Sequence, residues 1–128
     1  MPVLETPKTV GEHIKHVRLL RGLSQPKVAA HIGVDTATVL NWEKNRTEPP
    51  VATIPAILRF LGYDPYPEGK TLGERMLALR RTKGWTIREA ASQLEVDVGT
   101  WGRWERNIAS PKGQYRLMLN KFFLKRQL

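Results

Sequence analysis

The chain repeats itself at a spacing of 62 residues, and this repeat constrains the fold more than any other feature. When residues 9–49 are aligned without a gap to residues 71–111, 13 of 41 positions are identical. In the first copy these are Thr9, Gly11, Glu12, Arg18, Gly22, Ala29, Val34, Asp35, Thr38, Trp42, Glu43, Asn45 and Pro49. The period is longer than that of a solenoid repeat, which spans roughly 20 to 50 residues. The sequence therefore predicts two tandem globular copies, each near the lower size limit for folding alone.

Composition narrows the protein class. With 41% hydrophobic residues among 128, the chain is expected to fold, and the absence of cysteine excludes disulfides and thiolate metal sites. No apolar run approaches the roughly 20 residues of a membrane span. The first five residues lack a signal-peptide pattern. We therefore expect a cytoplasmic protein.

Charge is unevenly divided between the copies. The whole chain carries +9 and has a pI near 10.3, which favours a polyanionic partner, nucleic acid ahead of membrane. Residues 1–69 hold eight Lys and Arg against seven Asp and Glu, a net +1. Residues 70–128 hold thirteen against five, a net +8. The copies share a pattern but not an electrostatic character.

Helical periodicity dominates the first copy. Val10, Ile14 and Val17 recur at i, i+4 and i+7, the spacing of one buried helix face. Ser24 and Asp35 are good N-caps for two further helices. Further predicted inward positions are Val28, Ala29, Ile32, Val39, Trp42, Ile54, Ile57, Leu58 and Leu61. Because no segment alternates with period 2, the prediction is all-α.

The second copy repeats this pattern. Thr86 and Glu89 have the spacing of a capping box, and Asp97 is the N-cap of the third helix. The first helix of this copy is predicted to bury Leu72, Met76 and Leu79. A long last helix is predicted, with an apolar face made of Tyr115, Met118, Leu119, Phe122 and Phe123.

A tight turn in the middle of each copy indicates function. It joins two short helices through residues 33–35 and again through residues 95–97. A turn of this length sets the helices at a steep angle and leaves the second one projecting. Such a helix, with small polar residues in its first turn, fits the major groove of DNA.

The ordered set of these residues resembles the phage-repressor-like, XRE-type helix-turn-helix family. The matching residues are Gly11, Glu12, Arg18, Gly22, Leu23, Ser24, Gln25, Val28, Ala29, Ile32, Gly33, Val34, Thr38, Val39, Trp42, Glu43, Lys44, Asn45, Pro49, Leu61 and Gly62. The resemblance implies two tandem lambda-repressor-like domains of about five helices each. The expected boundaries are 1–63 for the first domain, 64–70 for a short proline-bearing linker and 71–128 for a divergent, basic second domain.

The resemblance also places the DNA contacts of the first copy. Thr36, Ala37 and Asn41 are expected at base edges, where Thr and Ala methyls suit thymine and Asn suits adenine. Gln25, at the start of the second helix, is expected near the DNA backbone, where it can brace a base-reading side chain. The remaining candidates for backbone contact are Lys44, Asn45 and Arg46. Trp42 is assigned to the core, and Glu43 to an ion pair with Arg18. Trp104, Glu105 and Arg80 are expected to repeat these roles in the second copy.

The second copy departs from the family at these positions. Ile87 replaces the glutamine, and Gly99 and Gly102 lie in the third helix with Arg103 and Arg106. One interpretation has Arg103 reading guanine at close approach, with Arg106 on phosphate. In the other interpretation this copy has lost sequence reading and contacts only the DNA backbone. The backbone candidates in this copy are Arg88, Arg106 and Lys112.

Other classes are less well supported. No carboxylate pair or glycine-rich phosphate loop stands out, and His13 and His16 lack a third ligand, so we expect no enzyme, cofactor or small-molecule substrate. Apolar residues of the last helix form a candidate dimer or partner surface, with core packing as the alternative. They are Phe122, Phe123, Leu124 and Leu128.

The working hypothesis is a bacterial or phage-type transcriptional regulator, a repressor, that binds double-stranded DNA through the third helix of the first copy. The second copy would add phosphate or second half-site contacts. The alternative is an antitoxin and autorepressor, or a protein-interaction module that binds DNA weakly.

Overall fold

The computed structural model describes residues 6–67 and 69–127, and within them every regular element is helical. The residues up to Tyr66 form one compact unit (unit 1) and those from Pro67 a second (unit 2). Unit 1 contains α1 (Val10–Leu20), α2 (Gln25–Ile32), α3 (Thr36–Glu43), a 3-10 turn (Val51–Thr53) and α4 (Ile54–Leu61). Unit 2 contains α5 (Leu72–Lys83), α6 (Ile87–Gln93), α7 (Val98–Glu105) and α8 (Gln114–Gln127). The all-α prediction is confirmed.

The two units end differently. Unit 1 reaches the expected five helices if its 3-10 turn is counted, whereas the described part of unit 2 has four. After α3, unit 1 continues as a 3-10 turn and the short helix α4, in a region that contains Pro49, Pro50 and Pro55. Residues 114–127 contain no proline, so α8 continues through this region as one helix. The predicted absence of a signal peptide concerns residues 1–5, which lie outside the described part.

Side-chain caps fix the helix starts in unit 1. Thr9, Ser24 and Asp35 each accept a hydrogen bond from the backbone N–H three residues later. Gly33 ends α2 with φ 89°, a left-handed conformation that glycine adopts without steric cost. The predicted caps are thereby confirmed.

The core of unit 1 lies beneath α1, α2, α3 and α4. Ile14, Val28, Val39 and Ile57 are fully buried, and Trp42 is 2% exposed. The inward positions predicted for α1, α2 and α3 therefore face the core. This orientation leaves the opposite side of α3 on the surface.

Unit 2 repeats the same construction. The predicted capping box is present, with Glu89 N–H bonded to Thr86 and Thr86 N–H bonded to Glu89, and Asp97 caps α7. The core residues here are Met76, Leu79, Ala90, Ala91, Leu94, Trp101, Trp104, Leu119 and Phe123. Trp101 takes the inner position that Val39 holds in unit 1.

A glycine lets the first helix of each unit touch the end of the third. A Cβ on Gly11 would lie 1.8 Å from the Trp42 carbonyl oxygen, and one on Gly73 would lie 2.2 Å from that of Glu105. No side chain fits at either position. The glycine shared by the repeats therefore sets how closely these helices pack.

Candidate nucleic-acid interface

The helix pair α2–α3 exposes one side of α3. The two helices pack against each other and are joined by the short turn that begins at Gly33. Thr36 and Ala37 are exposed in the first turn of α3, and Asn41 is half-buried one turn later. These three side chains are separated from the core by the buried positions Val39 and Trp42. The predicted outward face of α3 is confirmed as a surface, whereas its DNA contacts stay a prediction.

A buried carboxylate ties this surface to the core. Glu43 is 6% exposed and receives hydrogen bonds from Arg18 Nε at 2.8 Å and Arg18 Nη2 at 2.9 Å. Gln25 Nε2 donates a third bond to the same carboxylate at 3.2 Å. Because Gln25 begins α2 and Glu43 ends α3, this carboxylate fixes the two helices relative to each other. The predicted Glu43–Arg18 ion pair is confirmed, and Gln25 braces Glu43.

Asn45 has a structural role that the sequence did not reveal. It takes φ 60°, its Oδ1 accepts from the Thr9 hydroxyl at 2.7 Å, and its Nδ2 donates to Glu12 at 2.7 Å. Hydrogen bonds from the Lys8 N–H and then from Asn45 lower the pKa of Glu12. The amide thus joins the end of α3 to the start of α1. The identity of this residue in both repeats was the available signal.

Two other predicted backbone residues of unit 1 lie at the end of α3. Lys44 is the C-cap and Arg46 follows Asn45, and both side chains are exposed. Arg46 donates its N–H to the Asn41 carbonyl, which closes the helix end. The two cations therefore lie within three residues of Glu43, at the edge of the α3 surface.

Unit 2 keeps the ion pair but changes the third donor. Arg80 donates from Nε and Nη2 to Glu105, both at 2.8 Å. The third bond comes from Nε1 of Trp101, on the same helix as Glu105. Ile87, which begins α6 where Gln25 begins α2, carries no donor. The predicted repetition of the ion pair is confirmed.

The exposed side of α7 carries two arginines folded back over two glycines. Arg103 Nη1 lies 3.4 Å from the position that a Cβ on Gly99 would take, and Arg106 Nη1 lies 3.5 Å from that of Gly102. Arg103 also donates from Nη2 to the Thr100 hydroxyl at 3.1 Å. The guanidinium groups therefore lie along α7 instead of extending away from it.

Comparison with known proteins places the first unit in a family. Residues 14–66 match a family model described as helix-turn-helix. This match supports the assignment of unit 1 to the XRE-type, phage-repressor-like helix-turn-helix family. All matched residues lie in unit 1, and the match supports a DNA-binding transcription regulator with double-stranded DNA as its partner. No curated protein and no solved structure was found to match the chain.

The remaining basic candidates of this helix-turn-helix protein are distributed over unit 2. Arg88 is exposed in the first turn of α6, and Lys112 is exposed just before α8. Together with Arg103 and Arg106 they put cations on three segments of the unit. Whether they contact DNA stays a prediction.

The two neighbouring histidines of α1 differ: His13 has a hydrogen-bond partner, whereas the buried Nδ1 of His16 has none among the described residues. His13 Nδ1 lies 2.7 Å from the Tyr63 hydroxyl, and burial, followed by the charge of His16, lowers the pKa of His13. Among residues 6–67 and 69–127, no cluster of three or more His, Cys, Asp or Glu side chains could hold a metal ion.

The apolar surface predicted on the last helix is narrower than expected. Phe123 is buried beneath the Arg75 guanidinium, whose Cζ lies 4.4 Å from the centroid of the Phe123 ring. Phe122 packs edge-on against Trp85. Phe123 therefore belongs to the core, whereas Phe122 is half-buried. Leu124 is 63% exposed, whereas Leu128 lies outside the described residues. Within the described chain, no helix is both long and apolar enough to cross a bilayer.

Proposed function

We propose that the protein is a sequence-specific transcriptional regulator, a repressor, that reads the major groove of double-stranded DNA with α3 of unit 1. The observation that supports this most directly is the exposed first turn of α3, on a helix whose last residue, Glu43, is held by Arg18 and Gln25 within the family-matched segment. A rigid helix that presents short polar and methyl-bearing side chains suits base-edge recognition.

The roles of the α3 residues follow from their chemistry. The Thr36 and Ala37 methyls suit contact with thymine methyl groups, and the Asn41 amide can both donate to and accept from adenine. Lys44 and Arg46 supply charge for phosphates beside the groove. Gln25 contacts the DNA backbone while its amide stays bonded to Glu43. The side chain of Asn45 is bonded to Thr9 and Glu12. Asn45 therefore supports the contact with the DNA backbone by holding the end of α3 in place.

Unit 2 adds contacts to phosphates or to a second half-site. Its net charge of +8 supplies the cations, because phosphate neutralisation releases counterions and strengthens binding at low salt. Half-sites read from one face of the duplex would be about one turn, roughly 34 Å, apart.

Selection of bound sequences from random duplexes by the full chain tests this function. We expect an enriched motif whose information is reduced by Thr36→Ala combined with Asn41→Ala. Lys15→Ala, which removes an exposed charge from α1, is the control and should leave the motif unchanged. Unchanged selectivity in the double variant would contradict α3 as the reader.

Exposed leucines on α8 support a second candidate role in self-association. Leu117 is 65% exposed and Leu124 is 63% exposed, seven residues apart on one helix. This spacing puts both on one side of the helix. Sedimentation velocity on the full chain, with and without Leu117→Gln and Leu124→Gln, tests for a homodimer through α8. A monomer at all concentrations would exclude it.

A further inference from the structure

We infer that Thr100 is a positioning residue that holds the Arg103 guanidinium at the first turn of α7, where it reads a guanine in the major groove. The inference rests on the proposed function and specifies the base pair that unit 2 recognises. Its consequence is an operator of mixed composition, in which unit 1 reads A·T pairs and unit 2 reads at least one G·C pair.

A chain of hydrogen bonds ties Arg103 to the helix start. Arg103 Nη2 donates to Thr100 Oγ1 at 3.1 Å, and the Thr100 N–H donates to the cap residue Asp97 at 2.6 Å. Hydrogen bonds from the Thr100 N–H and then from its hydroxyl lower the pKa of Asp97, so the hydroxyl also faces this carboxylate. The Thr100 hydroxyl accepts the bond from Arg103 while the Thr100 N–H is bonded to Asp97. The guanidinium is therefore held in one orientation.

Gly99 provides the space for this arrangement. A Cβ at that position would lie 3.3 Å from Asp97 Oδ1 and 3.4 Å from Arg103 Nη1. Such a methyl would occupy the gap between the carboxylate and the guanidinium. Glycine costs a helix about 1 kcal/mol relative to alanine, so its presence inside α7 is consistent with a need for this gap.

The position of the guanidinium favours a base over a phosphate. Residues in the N-terminal part of a recognition helix contact base edges. Arg103 stands five residues after the first residue of α7, yet its guanidinium is folded back over Gly99 toward that end. A phosphate beside the groove would be met by an extended side chain. A planar group held over the first turn is placed for the floor of the groove.

The free donors of Arg103 match guanine. A guanidinium has five N–H groups in one plane, and the described contacts use one of them for Thr100. Two of the remaining donors can bond the O6 and N7 acceptors of guanine together. Adenine and thymine present a different pattern at these positions. The geometry therefore assigns a G·C pair to Arg103.

Unit 1 keeps the same tether but a different reader. The Thr38 hydroxyl donates to Asp35 at 2.7 Å, as Thr100 faces Asp97. Asn41 stands where Arg103 stands in unit 2, and Ala37 stands where Gly99 does. An amide beside a methyl favours A·T contacts, whereas a held guanidinium favours guanine. One framework thus supports two base preferences.

The experiment compares selection profiles of the full chain in five forms: native, Thr100→Val, Thr100→Ser, Arg103→Lys and Arg103→Ala. Valine keeps the shape of threonine without the hydroxyl, serine keeps the hydroxyl, and lysine keeps the charge without the fork. We expect the native chain to favour one G·C pair by about 5-fold to 150-fold. Thr100→Val and Arg103→Lys should reduce that preference, whereas Thr100→Ser should keep it.

Salt dependence supplies the second measurement. A phosphate contact contributes about −0.9 to the slope of log K against log salt concentration, and a base contact does not. Arg103→Lys should therefore keep the slope while losing the G·C preference. A uniform loss of affinity with an unchanged profile in Arg103→Ala, and a slope smaller by about 1, would overturn the inference and make Arg103 a phosphate contact.

Folding is checked by the thermal unfolding of each variant. If Thr100→Val unfolds, Arg103→Lys decides the outcome, because it leaves the Thr100–Asp97 bonds in place. Failure of the proposed function looks different: the native chain would then show no motif. A motif that depends on Thr36 and Asn41 but contains no G·C pair sensitive to Arg103 would refute this inference alone.

Discussion

The two units hold the same buried ion pair with different third donors. In unit 1 the donor is Gln25, at the start of α2, so the carboxylate of Glu43 connects two helices. In unit 2 the donor is Trp101, four residues before Glu105 on α7, so the third bond stays within one helix and α6 is not connected to the carboxylate. The same electrostatic requirement is met in both cases. The comparison shows that the ion pair can be kept while the residue at the start of the neighbouring helix changes, from Gln25 in unit 1 to Ile87 in unit 2.

The same contrast extends to the exposed helix faces. The side chain of Glu43 is 3% exposed and that of Glu105 is 11% exposed, so the two carboxylates differ in how much they depend on their arginine. The α3 surface carries small polar residues without an arginine, whereas α7 carries two arginines over two glycines. The framework residues were retained between the copies, and the outward residues diverged.

Removing the arginine of each ion pair should give the largest effect. Arg18→Met leaves Glu43 buried without its charge partner, and we expect unit 1 to lose about 3–5 kcal/mol of unfolding free energy. Arg80→Met should cost unit 2 less, about 1.5–3 kcal/mol, because water reaches Glu105 more easily and Trp101 still donates.

Urea unfolding followed by NMR separates the units in this experiment. The chain has four tryptophans, of which Trp42 reports on unit 1 and Trp85, Trp101 and Trp104 report on unit 2. Equal losses in the two variants would contradict the role assigned to carboxylate burial.

The helix-contact glycines should show the next largest effect. Gly11→Ala places a methyl 1.8 Å from the Trp42 carbonyl oxygen, and we expect a loss of about 1–3 kcal/mol from overpacking. Gly73→Ala should cost somewhat less, because its methyl would lie 2.2 Å from the Glu105 oxygen. Thermal unfolding measures both. Gly102→Ala, described below, is the control for an alanine that does fit.

Exchanging the helix-start residues should have a smaller effect. Gln25→Ala removes the third donor to Glu43, and we expect unit 1 to lose about 1 kcal/mol and to bind DNA more weakly. Ile87→Gln should not gain a comparable bond, because Trp101 already donates to Glu105. Urea unfolding and mobility shift test the pair. A stabilised Ile87→Gln variant would show that unit 2 can adopt the connection of unit 1.

Gly102→Ala should stabilise unit 2 slightly. Its Cβ would meet Arg106 Nη1 at 3.5 Å, which is ordinary contact, so the gain in helix propensity of up to about 1 kcal/mol should appear. Thermal unfolding checks this gain. A loss of stability would mean that α7 needs the space above Gly102 as well as that above Gly99.

Acid should weaken both units through their cap residues, and this effect should be the smallest. Hydrogen bonds from the Thr38 hydroxyl and N–H lower the pKa of Asp35, and those from the Thr100 N–H and hydroxyl lower the pKa of Asp97. A depressed folded-state pKa stabilises the fold above the unfolded value of 3.8, and this contribution is lost as the pH falls through the folded value. Asp35→Ala and Asp97→Ala should each flatten the decline of stability below about pH 4. An unchanged acid profile in both variants would contradict these caps.

Local signals in the sequence were sufficient for much of the fold. Ser24, Asp35, Thr86 and Asp97 were predicted as caps, because capping depends on a side chain and the backbone three residues away. The apolar period was likewise enough to place Trp42 in the core. The count of about five helices came from the family resemblance, whereas the apolar pattern of unit 2 itself indicated one long last helix, as α8 is.

Contacts between distant residues explain what the sequence analysis missed. Asn45 was predicted only as a DNA-backbone residue, since its bonds to Thr9 and Glu12 span more than thirty positions. For Phe122 the sequence left a partner surface and core packing open, because its contact with Trp85 joins two residues far apart in the chain. The bond between Thr100 and Arg103 was missed for another reason, because it joins residues three positions apart and depends on how the arginine side chain folds back along α7.

The sequence by itself determined that this protein has two copies of one helical pattern, where most of the helices begin, and which residues turn inward. These properties follow from short-range capping and from the spacing of apolar residues, which are written locally in the chain. Only the tertiary structure decided which donor completes each buried carboxylate, how closely α1 and α5 approach the ends of α3 and α7, and where the guanidinium groups of α7 lie. These depend on distances between side chains brought together by folding. These side-chain contacts account for the different surfaces of two units that share one sequence pattern.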